Sequence, residues 1–142
     1  MKKLRLLVLT FAAVLSLTAV AGQIDAQAKV VTVPTSLRGR WFSKGSYGTQ
    51  FIKMTKYTFY VANYVNGRKQ SGSWGVSGRR YISGTKIPTL YRSSHKTPKG
   101  YWKIGAAHSD GVWYLKRVHH NGRVALRSWS PYDNSISYYY HR

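Results

Sequence analysis

The chain has no cysteine and no glutamate. Its 142 residues hold three acids, Asp25, Asp110 and Asp133, against 23 Lys and Arg, a formal charge of +20. Without cysteine there is no disulfide scaffold, no thiolate zinc site and no cysteine nucleophile. Without glutamate there is no catalytic glutamate pair. Helical periodicity is missing too: no stretch of convincing length repeats apolar residues every three to four positions. What the chain does have is rings. Aromatics make up 15% of it and Tyr alone supplies 12 residues, more than a disordered segment carries. The length allows one domain.

The first residues read as a secretory signal, 1–28. Lys2, Lys3 and Arg5 form a positive start, and 6–21 is apolar apart from Thr10, Ser16 and Thr18. That run is shorter than the roughly 20 apolar residues a membrane span needs. Small-x-small sites follow at Ala19-Val20-Ala21 and Ala26-Gln27-Ala28. The second is preferred, because 22–28 then serves as the polar segment before cleavage. The expected location is secreted and extracellular, at the cell surface. The leader takes three basic residues and Asp25 with it, so the remaining 114 residues carry a formal charge of +18. They contain no second long apolar run.

After an arm at 29–37, apolar residues come in short runs rich in aromatic and β-branched types, broken by Gly, Asn, Ser and Pro. The runs are 40–44, 49–55, 57–64, 69–76, 79–83, 89–93, 101–107, 112–119, 123–129 and 136–141. A strand about every eight to twelve residues points to a sandwich or barrel. The expected fold of 38–142 is all-β, a small antiparallel up-and-down barrel of about eight short strands. Asn66-Gly67 and Asn121-Gly122 each suit a two-residue hairpin turn, where both residues take positive φ. The second turn sets His120 opposite Arg123, Val118 opposite Ala125, Lys116 opposite Arg127 and Tyr114 opposite Trp129, all on one face. Trp113, Leu115, Arg117, His119, Val124 and Leu126 share the other, more apolar face, which is assigned to the core. Arg117 then needs a partner or an exit to solvent.

Four of the five Trp follow a Gly by two positions: Gly39-Arg40-Trp41, Gly72-Ser73-Trp74, Gly100-Tyr101-Trp102 and Gly111-Val112-Trp113. On a strand these share a face, and the Gly leaves room for the indole. The first of them, Leu37-Arg38-Gly39-Arg40-Trp41-Phe42, resembles the Gly-x-Trp opening of lipocalins and other calycins. That resemblance implies that Gly39 and Trp41 close one barrel end, under a cation from a late strand, with Arg142, Arg127 and Arg117 as candidates. The Thr-Asp-Tyr motif of lipocalins is missing. Val33-Pro34-Thr35-Ser36-Leu37-Arg38-Gly39-Arg40-Trp41-Phe42 and the Tyr138-Tyr139-Tyr140-His141-Arg142 end are similar to the small, basic, Tyr-rich secreted proteins of lactic-acid bacteria. That group implies fold and compartment, not an activity. Asp110-Gly111-Val112-Trp113-Tyr114-Leu115 followed by Asn121-Gly122 is similar to one hairpin of the choline-binding cell-wall repeats, which act in series.

The residues offer no catalytic constellation. Beyond the leader the carboxylates are Asp110 and Asp133, each beside turn formers, whereas glycoside hydrolysis needs two across a cleft. His119 and His120 are adjacent on a strand and point to opposite faces. No His-x-His or His-Glu-x-x-His spacing occurs, and Ser94-His95 has no nearby acid to orient the ring. No enzyme activity, cofactor or metal site is expected.

Charge carries the functional reading. A formal +18 on so small a domain repels itself, and solubility needs a magnitude of only about 2–8. The expected partner is an anionic envelope polymer, teichoic or lipoteichoic acid, or an anionic lipid surface. Nucleic acid satisfies the same chemistry in a less fitting compartment. The candidate anion-binding residues are Lys116, His120, Arg123 and Arg127, with Tyr114 and Trp129 as stacking rings, on a monomeric protein. The alternative is a calycin-type carrier of a small apolar ligand inside the barrel. With so many aromatics the interior is expected to be filled.

Mass spectrometry of the secreted protein is expected to find an N-terminus at Lys29. A start at Gly22 moves the boundary only; an intact Met1 held in membrane overturns the leader.

Overall fold

The computed structural model describes residues 29–142; the leader lies outside the described residues. The fold is all-β and antiparallel, as the alternation implies. Its strands are β1 (Gly39–Gly45), β2 (Gly48–Met54), β3 (Thr58–Val65), β4 (Arg68–Lys69), β5 (Trp74–Ser77), β6 (Leu90–Arg92), β7 (Trp102–Ala106), β8 (Val112–His120), β9 (Arg123–Trp129) and β10 (Ile136–Tyr140). They form one sheet in the order β4-β3-β2-β1-β10-β9-β8-β7-β6, with β5 also on β3. Both Asn-Gly turns have the required left-handed backbone: φ is 51° and 75° at Asn66 and Gly67, and 53° and 70° at Asn121 and Gly122.

The sheet curls around its own core. β3 and β8 stand five places apart in the strand order, roughly 24 Å in a flat sheet at about 4.8 Å per strand. Yet the Phe59 ring on β3 lies 6.1 Å from Trp113 on β8, and Trp113 lies 6.5 Å from Tyr139 on β10. Trp74 on β5 packs on Phe59 at 5.5 Å. These rings fill the interior together with Trp41, Ile52, Met54, Val61, Leu90, Ile104, Leu115 and Leu126, all buried. Arg117, on the same strand face as Leu115, finds its exit: it lies near the strand end and is exposed.

The curl does not close through a ladder. Among the described residues no strand pairing joins β5 to β6 or β7. Thr89 spans the gap instead. Its hydroxyl accepts from Ser77 N–H at 3.0 Å and donates to Ser77 C=O at 3.0 Å. Its own N–H donates to Arg80 C=O, and its C=O accepts from Ala107 N–H. The architecture is therefore a curled, barrel-like sheet of ten strands, not a sealed barrel of about eight.

Two expected runs behave differently. The run 69–76 splits into β4 and β5, because polar Gln70 to Ser73 turns the chain back onto the same edge of β3. The run 79–83 forms no strand; it makes a single bridge, Tyr81 with Pro88. The ladder stops there because the groups beyond it are bonded elsewhere: Ile82 C=O accepts from Thr85 N–H, Ile87 N–H donates to Thr85 Oγ1, and Thr89 C=O accepts from Ala107 N–H.

One end of the curl is plugged. Residues 29–37 run across it, with Val33 and Leu37 fully buried and a short 3₁₀ turn at Thr35–Leu37. Gly78 is required where this segment crosses, since a Cβ there would stand 1.7 Å from Val31 C=O. Trp41 is fully buried beneath the plug and its indole N–H donates to Leu37 C=O at 2.9 Å. The ring lying against it is that of His141, at 3.9 Å. A Cβ at Gly39 would stand 3.0 Å from that imidazole. None of the three candidate arginines is there. Strand alternation places residue 141 with Tyr139 on the inner face and sends Arg142 outward, where its guanidinium lies over Phe42 at 4.7 Å.

Replacing Trp41 with Ala is expected to cost about 3–5 kcal/mol, the value for emptying a core indole site, read as a lowered denaturation midpoint. A variant melting with the parent would remove the indole from the core.

Candidate anion-binding face

The hairpin of β8 and β9 has the register read from Asn121-Gly122. His120 pairs with Arg123, Val118 with Ala125, Lys116 with Arg127 and Tyr114 with Trp129. All four pairs point away from the core face that carries Leu115 and Leu126. On the neighbouring strand Tyr138 stands opposite Arg127, and Tyr140 opposite Ala125. The sequence-selected residues therefore do meet on one outer face.

Their side chains do not simply confront each other. Lys116 leans toward β7: its ammonium lies 4.6 Å from the Tyr101 ring and donates to Lys99 C=O at 3.0 Å. Arg127 leans the other way, over Tyr138 at 5.9 Å. Arg123 lies over Tyr140 at 4.7 Å and donates to His141 C=O at 2.9 Å. Two like charges on paired residues are thus drawn apart onto separate rings. Each such contact contributes about 0.5–1 kcal/mol at an exposed site. The like-charge pairs are consequently less costly to the fold than their register alone suggests.

His120 is a clamp. Its ring stacks on Tyr138 at 3.6 Å, nearly parallel, and its Nδ1 shares a hydrogen bond with the Tyr140 hydroxyl. Ala125 beneath is fully buried, and its small side chain leaves room for that closure. Tyr114 and Trp129 meet edge to face at 5.1 Å, and the Trp129 indole N–H donates to Asn134 Oδ1. Lys103 lies over Tyr114 and Lys99 over Trp129, at 5.4 and 5.8 Å. The rings therefore hold cations rather than standing bare for a base. Arg127 Nε is buried without a hydrogen-bond partner among the described residues.

A second outer region escaped the sequence reading. Arg40, Phe42, Phe51, Lys53, Tyr60 and Arg80 line a cleft of about 770 Å³ over β1, β2, β3 and β5. The signal was present as Arg40-x-Phe42 and Phe51-x-Lys53, each a cation and a ring on one strand face. Only the register of the β1–β2 hairpin, Arg40 with Lys53 and Phe42 with Phe51, brings them together.

A third place is the end of the curl opposite the plug. Ser43, Gln50, Asn63, Ser137 and Tyr139 belong to a polar recess of about 530 Å³. Tyr139 O–H donates to Gln50 Oε1, and Gln50 Nε2 donates to Asn63 Oδ1 at 3.0 Å. Burial pushes the Tyr139 hydroxyl up to about 12, so it stays a neutral donor.

The chain matches no protein-family model, no curated protein and no solved structure. Among the described residues no helix is long and apolar enough to cross a membrane.

Alkaline titration followed by tyrosinate absorbance is expected to show one tyrosine ionising only near pH 12, and Tyr139→Phe should remove that step. The unfolded value is about 10. The raised folded value means that the neutral hydroxyl's contribution is complete below pH about 10 and is lost as pH climbs from there toward 12. Tyr139→Phe should therefore flatten that alkaline loss of stability. A parent whose tyrosines all titrate near pH 10 contradicts the buried hydroxyl.

Proposed function

We propose that this is a secreted, non-catalytic binding protein that holds phosphate-rich anionic polymers of the cell envelope, teichoic or lipoteichoic acid, through the outer face of β7 to β10. The observation that carries the reading is the set of cations there. Lys99, Lys103, Lys116, Arg123 and Arg127 are each held on an aromatic ring. The only carboxylates among the described side chains, Asp110 and Asp133, sit in turns. Asp133 is committed to its turn, accepting from Ser135 N–H at 3.1 Å.

Rings position the cations without neutralising them, so the face keeps its charge while losing side-chain freedom. That suits a flexible chain of phosphates, each oxygen finding a fixed cation and releasing its counterion. The partner is monovalent at each repeat and needs no deep pocket. An anionic lipid surface offers the same headgroup chemistry. The packed interior, with Trp41, Phe59 and Leu126 fully buried, lends nothing to the alternative of a carrier for a small apolar ligand.

Binding to purified lipoteichoic acid should fall steeply with salt, with a log–log slope of about −0.7 per neutralised phosphate if the polymer behaves like a flexible single strand. Reversing Lys116, Arg123 and Arg127 to Glu should weaken binding at low salt at least about tenfold and shrink that slope by about two units. The reversals also remove the bonds to Lys99 C=O and His141 C=O. A Lys116→Gln, Arg123→Gln, Arg127→Gln variant with a native near-ultraviolet spectrum separates charge from folding. Affinity that ignores salt, or a triple reversal that binds as the parent does, overturns the reading.

A further inference from the structure

The cleft over β1, β2, β3 and β5 differs in kind from the β7–β10 face. Two rows of outward side chains cross it. The first runs Arg40, Lys53, Tyr60, Gly75 across the four strands, and the second runs Phe42, Phe51, Ala62 across three. Each row ends on a residue with little or no side chain. Gly75 is exposed beyond Tyr60, whereas Ala62 is fully buried, and a cleft of about 770 Å³ opens over Phe51, Lys53, Tyr60 and Gly75. A Cβ at Gly75 would stand 3.1 Å from Tyr60 Cδ2, so the Tyr60 ring lies close over the bare backbone there.

Its cations are uncommitted. Arg40 and Lys53 face each other directly across the hairpin, an arrangement that destabilises a sheet when nothing intervenes. Arg80 joins them on the wall from the irregular stretch after β5. Among the described residues the side chains of these three have no hydrogen-bond or ring partner. On the β7–β10 face, by contrast, the cations rest on rings. Three unpartnered cations lining one cleft are the electrostatic complement of a multiply charged anion.

The floor restricts what carries that anion. The Phe42 and Phe51 rings lie 4.8 Å apart, tilted 30° to each other, and Tyr60 meets Phe51 at 69°. Arg142 covers Phe42 and Lys69 lies over Tyr60, whereas Phe51 carries no cation among the described residues. A flat base sandwiched in parallel finds no second parallel ring here. An acyl chain laid on this floor would run along Arg40, Lys53 and Arg80 and strip water from them without replacing it. A saturated sugar ring lays its C–H face on one aromatic ring and keeps its hydroxyls toward water and the neighbouring Arg40–Lys53 row.

We propose that this cleft binds a phosphorylated sugar, the pyranose C–H face on Phe51 and the phosphate held by Arg40, Lys53 and Arg80. The proposal is independent of the β7–β10 face, and each can fail without the other.

Calorimetry with the full mature chain tests it, using glucose phosphate, glucose, inorganic phosphate, adenosine monophosphate and dodecyl phosphate as separate probes. Glucose phosphate should bind at least about tenfold more tightly than inorganic phosphate or glucose alone, since ring and anion are held together. Lys53→Gln and Arg40→Gln should each weaken it by about tenfold, the range for losing a charge-assisted contact. Phe51→Leu keeps an apolar, foldable side chain and should still lower affinity by removing the ring face. Arg117→Gln, exposed near the end of β8 and outside both faces, should leave it unchanged. In heteronuclear NMR the Gly75 amide should shift on titration. The proposal is overturned if inorganic phosphate binds as tightly as glucose phosphate, or if adenosine monophosphate or dodecyl phosphate binds more tightly. It is equally overturned if Lys53→Gln binds as the parent does, or if no probe binds.

Discussion

With 20 basic residues and two acidic ones after residue 28, this protein cannot neutralise its cations with carboxylates. Rings hold them in place instead. Arg123 lies over Tyr140, Arg127 over Tyr138, Lys116 over Tyr101 and Arg142 over Phe42. A ring attracts a cation through its quadrupole but leaves its charge intact. The outer surface can therefore be dense in positive charge and still ordered. The same residue class fills the interior, where Trp41, Phe59, Trp113 and Tyr139 occupy the space a small sheet must close around. Strand alternation sorts one abundant residue type into these two uses.

That sorting depends on the curl. A flat ten-stranded sheet would offer a core face and a solvent face of equal extent, with far too much apolar surface exposed. Bending brings Phe59 to Trp113 and lets the segment 29–37 plug one end with Val33 and Leu37. The seam is held by Thr89 rather than by a ladder, so its closure rests on one hydroxyl and two backbone bonds. An edge joined in this way presents fewer free N–H and C=O groups than an open edge would.

The outer face is divided by how its cations are engaged. Over β7 to β10 they are seated on rings, a display suited to a repeating anion that contacts many fixed points weakly. Over β1 to β5, Arg40, Lys53 and Arg80 surround a cleft with an aromatic floor, suited to one small ligand held at several points. Both regions lie outside the core, and neither needs the interior to hold a ligand.

The sequence by itself determined the all-β class, the two Asn-Gly turns and the register of β8 with β9. Those are local matters: alternation is a property of one strand, and a two-residue turn sets the pairing of the strands it joins. The meeting of Lys116 with Arg127 and of Tyr114 with Trp129 was legible for that reason. What lay beyond it needed tertiary structure. His141 rather than an arginine covers Trp41, because which neighbour reaches a buried indole depends on the chain past β10 running beside Gly39 and Arg40 C=O. The separation of Lys116 from Arg127 depends on rings from β7 and β10, on either side of the hairpin. The cleft was hidden because its residues come from β1, β2, β3 and an irregular segment, from Arg40 to Arg80. Only the strand order, with the bare Gly75 ending the Arg40–Lys53–Tyr60 row, leaves space there. Local pairing follows from a few adjacent residues, whereas an empty volume is defined by side chains that distant segments fail to supply.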